Sequence, residues 1–237
     1  MSKNDSVNSK DTISSRALVA ELLGTMALIC AGIGSVILGQ TVFGADNFVY
    51  TFMCAISMGF VLFAMIETFG PLSGGNFNPA ITIALTVTGE HSPKKACYYI
   101  AAQLIGAMIG VMILSVIFYD NLHDFFTISE NAKDTLPHFF SEMFGTFLLV
   151  AVVIGCIRGG SKKTGLAVGF LLSGMILATS STMFANPAVD LARVFTSAAC
   201  GISPFTALGY IAFGIIGAII AAFVLGWMYP KSEAENE

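Results

Sequence analysis

Long apolar segments alternate with short polar segments through almost the whole chain. A helix needs about 20 apolar residues to cross the hydrocarbon core of a bilayer. Six segments approach or reach that length, at residues 17–38, 48–69, 96–119, 139–157, 165–183 and 204–229. The pattern therefore predicts an all-α membrane protein with six transmembrane helices.

Two shorter apolar segments each begin inside a copy of the tripeptide Asn-Pro-Ala, at Asn78-Pro79-Ala80 and at Asn186-Pro187-Ala188. Asparagine is a good N-cap and proline is favoured in the first helical turn, so each copy predicts a helix start. The apolar residues 79–87 and 187–196 would reach about 15 Å, roughly half of the hydrocarbon thickness. We predict two re-entrant half-helices. A helix that starts at membrane depth must be buried in protein or line a polar cavity, so the pair indicates a pore.

Composition supports a membrane protein and narrows its function. Hydrophobic residues make up 55% of the chain and charged residues 11%, against about 25% charged residues in a soluble domain. The net charge of −4 lies mostly in loops and tails, and nothing indicates nucleic-acid binding. The sequence shows no nucleophile–base pair, metal-ligand cluster or phosphate loop, so we expect neither an enzyme nor a cofactor.

Basic residues lie mainly on one side of the predicted topology, which is the cytoplasmic side by the positive-inside rule. They are Lys3, Lys10, Arg16, Lys94, Lys95, Arg158, Lys162, Lys163 and Lys231. We therefore expect both terminal tails, residues 1–16 and 230–237, in the cytoplasm of a cell whose inner or plasma membrane holds the protein. The amino-terminal residues show no signal-peptide pattern.

The two halves of the channel region, residues 17–119 and 137–229, resemble each other. Ala20-Glu21-Leu22-Leu23-Gly24-Thr25 opens the first half, and Ser141-Glu142-Met143-Phe144-Gly145-Thr146 opens the second. Each half contains three spans and one half-helix. Since three is odd, the second half enters the membrane from the opposite side, which predicts an inverted repeat. Asn78 and Asn186 would then face each other near the midplane.

The motif Ser73-Gly74-Gly75-x-Phe77-Asn78-Pro79-Ala80, with its second copy, resembles that of the major intrinsic proteins, the aquaporin and aquaglyceroporin family. The resemblance covers residues 17–229. It implies an inverted-repeat bundle of six spans and two half-helices, a homotetramer with one pore per subunit, and passive conduction. Small-residue runs at 106–110 and 214–218 suit close helix packing.

The resemblance also assigns roles inside the pore. Partial positive charge at the half-helix amino termini would repel cations, while the Asn78 and Asn186 amides donate to a passing oxygen. An acceptor ladder would come from backbone carbonyls on both sides, at Gly74, Gly75, Asn76, Met183, Phe184 and Ala185. Buried carboxylates are costly in a membrane unless they are paired. By resemblance, Glu21 and Glu142 accept hydrogen bonds from the loops that carry the half-helices.

Substrate choice in the family depends on four residues at a narrow filter. Counting from the motifs without gaps gives Met58, Gly174, Met183 and Val189. Gly174 and Asp190 are typical of glycerol-conducting members. Val189 stands where the family usually has arginine, and Arg193 follows it on the same helix face. Two interpretations remain open: Arg193 replaces the filter arginine at a displaced level, or it pairs with Asp190 and leaves the pore.

A filter of two methionines, a valine and a glycine has neither histidine nor an aromatic ring, so we expect it to be wide and weakly polar. It favours small neutral solutes (glycerol, urea, undissociated metalloid acids) and water, with protons and ions excluded. The alternatives are a water-selective channel and, less favoured, a secondary transporter or a non-conducting structural protein. If Met58 faces the pore, Glu67 lies about half a turn out of phase and faces away from it, which favours a packing role.

Overall fold

The computed structural model describes residues 13–123 and 126–230, and all regular secondary structure in those ranges is helical. The helices are α1 (Ser15–Ile37, extended by a π-helical segment at Leu38–Val42), α2 (Asn47–Ser73), α3 (Pro79–Val87), α4 (Pro93–Ile117), α5 (Tyr119–Leu122), α6 (Leu136–Arg158), α7 (Thr164–Ala178), α8 (Pro187–Arg193) and α9 (Pro204–Met228). The predicted tails lie largely outside the described residues, and so do Lys3, Lys10 and Lys231.

Five helices are long and apolar enough to cross a bilayer: α1 with its extension, α2, α4, α6 and α9. The predicted span at 165–183 is shorter in the structure, because α7 has 15 residues and ends at Ala178. Its helix rises about 22 Å. Residues 179–186 then continue without helix, and the Thr179 hydroxyl accepts a hydrogen bond from the Met183 N–H at 3.1 Å. This early end lets the chain turn back to the start of α8.

The two half-helices begin at the predicted residues. The Asn78 side-chain oxygen accepts from the Ala80 N–H at 2.8 Å. In the second half, the Asn186 oxygen accepts from the Ala188 N–H at 3.0 Å. α3 ends at the predicted position, whereas α8 ends at Arg193, three residues before the predicted 196. The all-α prediction, with two short helices that start at the asparagine motifs, is confirmed.

Glycines allow matching close approaches in the two halves. A Cβ on Gly106 of α4 would lie 2.3 Å from the Leu22 carbonyl oxygen of α1. Likewise, a Cβ on Gly217 of α9 would lie 2.1 Å from the Met143 carbonyl oxygen of α6. Both small-residue runs therefore serve helix packing within one chain.

Glu67 lies on an exposed face of α2. One of its carboxylate oxygens lies 2.7 Å from the position that a Cβ on Gly165 would take, at the start of α7. A carboxylate is stabilised at a helix amino terminus. Glu67 thus packs against the neighbouring helix.

Candidate pore

The asparagines of the two motifs hold the two halves of the chain together. The Asn78 Nδ2 donates to the Ala185 carbonyl oxygen at 2.8 Å, and the Asn186 Nδ2 donates to the Phe77 carbonyl oxygen at 2.9 Å. Each bond joins one half-helix to the residue just before the other. Each amide has a second N–H, and both side chains line the same cavity. The asparagines therefore have one hydrogen each that can be donated to a solute.

Phe77 and Ala185 occupy equivalent positions in this arrangement. Both have left-handed backbones, with φ of 50° and 49°. Such conformations are costly for residues other than glycine and persist where the surroundings fix them. Two glutamates hold these backbone conformations. Glu21 accepts a hydrogen bond from the Phe77 N–H at 2.7 Å, and Glu142 accepts one from the Ala185 N–H at 3.0 Å.

Glu21 is the better connected of the two glutamates. Besides the Phe77 N–H, its carboxylate accepts from Ser73 Oγ at 2.6 Å, the Asn76 N–H at 3.0 Å and Gln103 Nε2 at 2.7 Å. Glu142 Oε1 has no hydrogen-bond partner among the described residues. The first half-helix is therefore held more firmly than the second.

An inner cavity of about 260 Å³ opens on the side of the bundle that holds the chain ends. Its polar lining consists of the two motif asparagines, Asn76, Thr164 and the glycine backbone at Gly70, Gly74 and Gly75. Its apolar lining consists of Leu28, Met58, Leu62, Ile66, Ile81, Leu149, Val153, Ile157, Val168, Leu172 and Phe184. None of these described lining residues is ionisable.

An outer cavity of about 150 Å³ lies on the opposite side, among Val36, Asn47, Tyr50, Thr51, Cys54, Lys133, Ile176, Thr182, Phe184, Ala199 and Cys200. Lys133 is its positive charge. Burial, and then the nearby Arg193, lower the pKa of Lys133. No pattern in the sequence indicates that this lysine reaches the cavity, because it lies in a loop between spans.

Phe184 is the one described residue that lines both cavities, and we call its ring the barrier. Its Cε1 atom lies 3.3 Å from the position that a Cβ on Gly32 would take, next to the Met58 sulfur at 2.9 Å from the same point. The Arg193 guanidinium lies over the ring, with its carbon 4.1 Å from the ring centroid. The barrier is therefore an aromatic ring that packs against α1 and is covered by a cation.

Arg193 is fully buried behind this ring. Its Nε donates to the Cys200 carbonyl oxygen at 2.6 Å, while Nη1 and Nη2 have no partner among the described residues. Asp190 is also buried, and no ion pair joins it to Arg193 in the described parts of the chain. The pairing interpretation is therefore wrong. The structure places Arg193 beside the barrier, one layer behind the lining of the outer cavity.

Three of the predicted filter residues, Gly174, Met183 and Val189, are not among the described residues that line the two cavities. Gly174 is exposed, and a Cβ on it would meet nothing within 4 Å. Met183 packs on α6, where its Cγ lies 2.4 Å from the position of a Cβ on Gly145. Val189 is buried in the apolar core and does not appear among the described residues that line the two cavities. Of the counted set, Met58 alone is among the described residues that line these two cavities.

The residues expected to supply pore carbonyls lie in different surroundings. Gly74, Gly75 and Asn76 line the inner cavity. The Ala185 carbonyl, however, already accepts from Asn78, and Phe184 contributes an aromatic ring to the barrier. The counted register did not include the Phe184 ring, which lines both cavities.

We expect Gly174→Leu to leave solute flux unchanged. The new side chain would extend into open space and gain helix propensity of about 0.5–1 kcal/mol over glycine. Gly169→Leu on the same helix is the matched control, because its Cβ would lie 2.6 Å from the Gly59 carbonyl oxygen. Thermal unfolding should separate the two, with a lower Tm for the Gly169 variant alone. A strong loss of glycerol flux in Gly174→Leu would restore that residue to the filter.

Paired half-helices, asparagines that meet across a repeat and cavities on both sides define a membrane channel of the inverted-repeat class. The family model of the major intrinsic proteins matches residues 8–224. The chain therefore belongs to the major intrinsic protein family.

Relatives and a solved structure agree with this assignment. The aquaglyceroporin AqpS of Rhizobium meliloti (strain 1021) is 32% identical over 213 residues, which cover 90% of each chain. Nodulin-26 of Glycine max is 33% identical over 183 residues, 75% of this chain and 66% of that protein. The X-ray structure of the aquaglyceroporin from Plasmodium falciparum superposes with a TM-score of 0.73 at 23% identity, over 91% of this chain and 97% of that one. The last similarity concerns the fold.

Proposed function

We propose that the protein is a passive membrane channel for water and small neutral solutes of the glycerol type. The name of a relative supports this class, since AqpS is an aquaglyceroporin. Family membership and the absence of ionisable groups in the described lining of the inner cavity argue against an enzyme.

The observation that carries the proposal is the pair of asparagines in an otherwise apolar cavity. A solute there can accept one hydrogen bond from each asparagine while its carbon atoms contact leucine, isoleucine and valine side chains. Glycerol has both kinds of surface. Water alone loses hydrogen bonds against the apolar wall, and unmade hydrogen bonds cost about 1–3 kcal/mol each. This balance favours glycerol, urea and undissociated metalloid acids over strict water selectivity.

Cation exclusion follows from charge. The amino termini of α3 and α8 direct partial positive charge to the asparagines. Arg193 behind the barrier and Lys133 in the outer cavity add two full positive charges on the outer approach. A hydronium or metal ion would meet these charges without a compensating carboxylate in the lining that is described.

Selectivity, in this proposal, depends on Phe184 with Met58 beside it. Arg193 fixes the ring through its stacked guanidinium. A water-selective channel remains the second candidate, because a Phe184 ring that lies across the pore would leave an opening only as wide as a water molecule.

We also propose the finer assignments made from the sequence. The protein is a homotetramer with one pore per subunit, and both termini face the cytoplasm. Glu21 and Glu142 support the half-helices, and the motif residues Asn78, Pro79, Ala80, Asn186, Pro187 and Ala188 form the pore centre. The hydrogen bonds that the Phe77 and Ala185 N–H groups donate to these glutamates support that role.

Stopped-flow light scattering on proteoliposomes tests the proposal. Water efflux, glycerol and urea entry and proton leak are compared with those of protein-free vesicles. We expect fast, non-saturating glycerol or urea entry without proton leak. Water movement alone would favour the water-selective channel, saturating or proton-driven flux would indicate a transporter, and no flux of any kind would indicate a structural protein.

A further inference from the structure

His91 lies in the short loop between α3 and α4, on the side of the chain ends, and it contacts the inner pore. Its Nε2 is 3.0 Å from the side-chain Nδ2 of Asn76, a residue that lines the inner cavity. Its ring packs edge-on against Tyr99, with centroids 5.5 Å apart. The sequence offered no role for this histidine beyond that of a loop residue.

The hydrogen bonds around Asn76 fix the orientation of its amide. The Thr82 hydroxyl donates to the Asn78 carbonyl oxygen at 2.9 Å, so its oxygen accepts from its other neighbours. These are Asn76 Nδ2 at 3.2 Å and Gln103 Nε2 at 3.0 Å. The Asn76 nitrogen therefore faces both Thr82 and His91.

A donor on Asn76 requires an acceptor on His91. Nε2 is then unprotonated, and the proton lies on Nδ1, which donates to the Glu90 carbonyl oxygen at 3.0 Å. Which nitrogen of a histidine carries the proton is set by the bond that the other makes. His91 is thus neutral in this network. Protonated His91 would direct an N–H at the Asn76 amide hydrogens and break the contact.

We propose that His91 is a positioning residue of the pore: its neutral imidazole fixes the Asn76 side chain, and protonation from the side of the chain ends releases it. This inference rests on the channel function proposed above. Asn76 also donates its backbone N–H to Glu21 at 3.0 Å and precedes Phe77, whose carbonyl accepts from Asn186. Released Asn76 therefore disturbs the loop that holds the two asparagines together.

Charges near His91 oppose its protonation. Burial and then the positive charge of Lys95 lower the pKa of His91 from 6.5 to about 4, while its bond to the Glu90 carbonyl and the Glu90 charge act in the opposite direction. Arg158 binds the Glu90 carboxylate at 2.7 Å and so weakens the effect of the Glu90 charge on the pKa of His91. Lys95 lies over the Tyr99 ring at 5.1 Å, and Glu21 faces the far side of Asn76.

The sign of the pH dependence follows from this lowered pKa. Between pH 6.5 and about 4 the unfolded chain binds a proton at His91 that the folded chain does not, so acid reduces stability over that window. Protonation of the folded channel follows near pH 4. Flux should therefore be constant at neutral pH and fall as the pH passes below about 5 toward a midpoint near 4.

Glycerol or urea flux into proteoliposomes between pH 7.5 and 3.5 tests the inference, with wild type, His91→Gln, His91→Leu and His138→Gln. Glutamine retains an acceptor but cannot titrate, so its flux should be near that of wild type at neutral pH and lose the acid decline. Leucine has no acceptor, so the flux of His91→Leu should stay at every pH about fivefold below that of wild type at neutral pH, as expected for one lost hydrogen bond. His138 lies at the start of α6, away from this loop, and its variant should keep the wild-type profile.

A second measurement does not depend on conduction. In ¹⁵N-histidine NMR of the reconstituted protein, the signal that disappears in His91→Gln should show a neutral Nδ1–H tautomer and titrate near pH 4. An Nε2–H tautomer, a charged ring at pH 6, or an acid decline that His91→Gln retains would overturn the inference. Wild type without flux at neutral pH, combined with the expected NMR signal, would instead overturn the proposed channel function and leave the His91–Asn76 bond established.

Discussion

Glu21→Gln is expected to cut solute flux at least tenfold and to lower the Tm markedly. In either amide orientation the glutamine nitrogen would face two donors that now bind a carboxylate oxygen. On one oxygen these are the Phe77 N–H and Gln103 Nε2, and on the other Ser73 Oγ and the Asn76 N–H. Unsatisfied buried donors cost about 1–3 kcal/mol each. The left-handed Phe77 backbone would lose the bond that fixes it. Proteoliposome flux and thermal unfolding in detergent measure the two effects.

Glu142→Gln is the matched control at the equivalent position of the second half. A glutamine there can keep its oxygen on the Ala185 N–H and place its nitrogen where Glu142 Oε1 has no partner among the described residues. We therefore expect a much smaller loss of flux and stability. Equal effects in the two variants would contradict the asymmetry between the half-helix supports.

Phe184→Ala is expected to raise glycerol flux several-fold and to admit larger polyols. The substitution removes the ring that separates the two cavities, while the asparagines and half-helices stay in place. Arg193 loses its stacked partner, which should lower the free energy of unfolding by about 0.5–2 kcal/mol. Proton exclusion should persist, because the charges that cause it are unchanged. Stopped-flow entry of polyols of increasing length, with a pH-sensitive dye inside the vesicles, measures both properties.

Phe60→Ala is the control for Phe184→Ala. Phe60 lies on α2 with 61% of its surface exposed, so its loss should change neither flux nor size limit. Glycerol flux in Phe184→Ala at the wild-type rate, with a normal Tm, would show that the ring does not limit conduction.

The sequence predicted the starts of the two half-helices because local chemistry determines them. An asparagine N-cap followed by proline starts a helix wherever it occurs, and two copies in an inverted repeat must meet. Glu21 and Glu142 were predictable for a related reason, since a carboxylate in an apolar helix needs partners. The partners themselves, such as the Phe77 and Ala185 N–H groups, needed the structure.

Counting from the motifs without gaps assigned Gly174 to the filter, but Gly174 lines neither of the two cavities. α7 ends at Ala178, and Leu172 and Ile176, four residues apart, face the inner and outer cavities. Gly174 is two residues from each, about 200° around the helix, and faces outward. Val189→Arg would accordingly test core packing, since it places a charge among buried apolar side chains. The stack of Arg193 on Phe184 joins residues nine positions apart through tertiary packing that no local pattern encodes.

The size limit for polyol entry, measured side by side in wild type, Phe184→Ala and Gly174→Leu proteoliposomes, tests most directly whether Phe184 is the barrier of a neutral-solute channel. We predict that the limit shifts to larger polyols in the Phe184 variant and stays at the wild-type value in the Gly174 variant. A limit that moves with residue 174 and not with residue 184 would contradict the account.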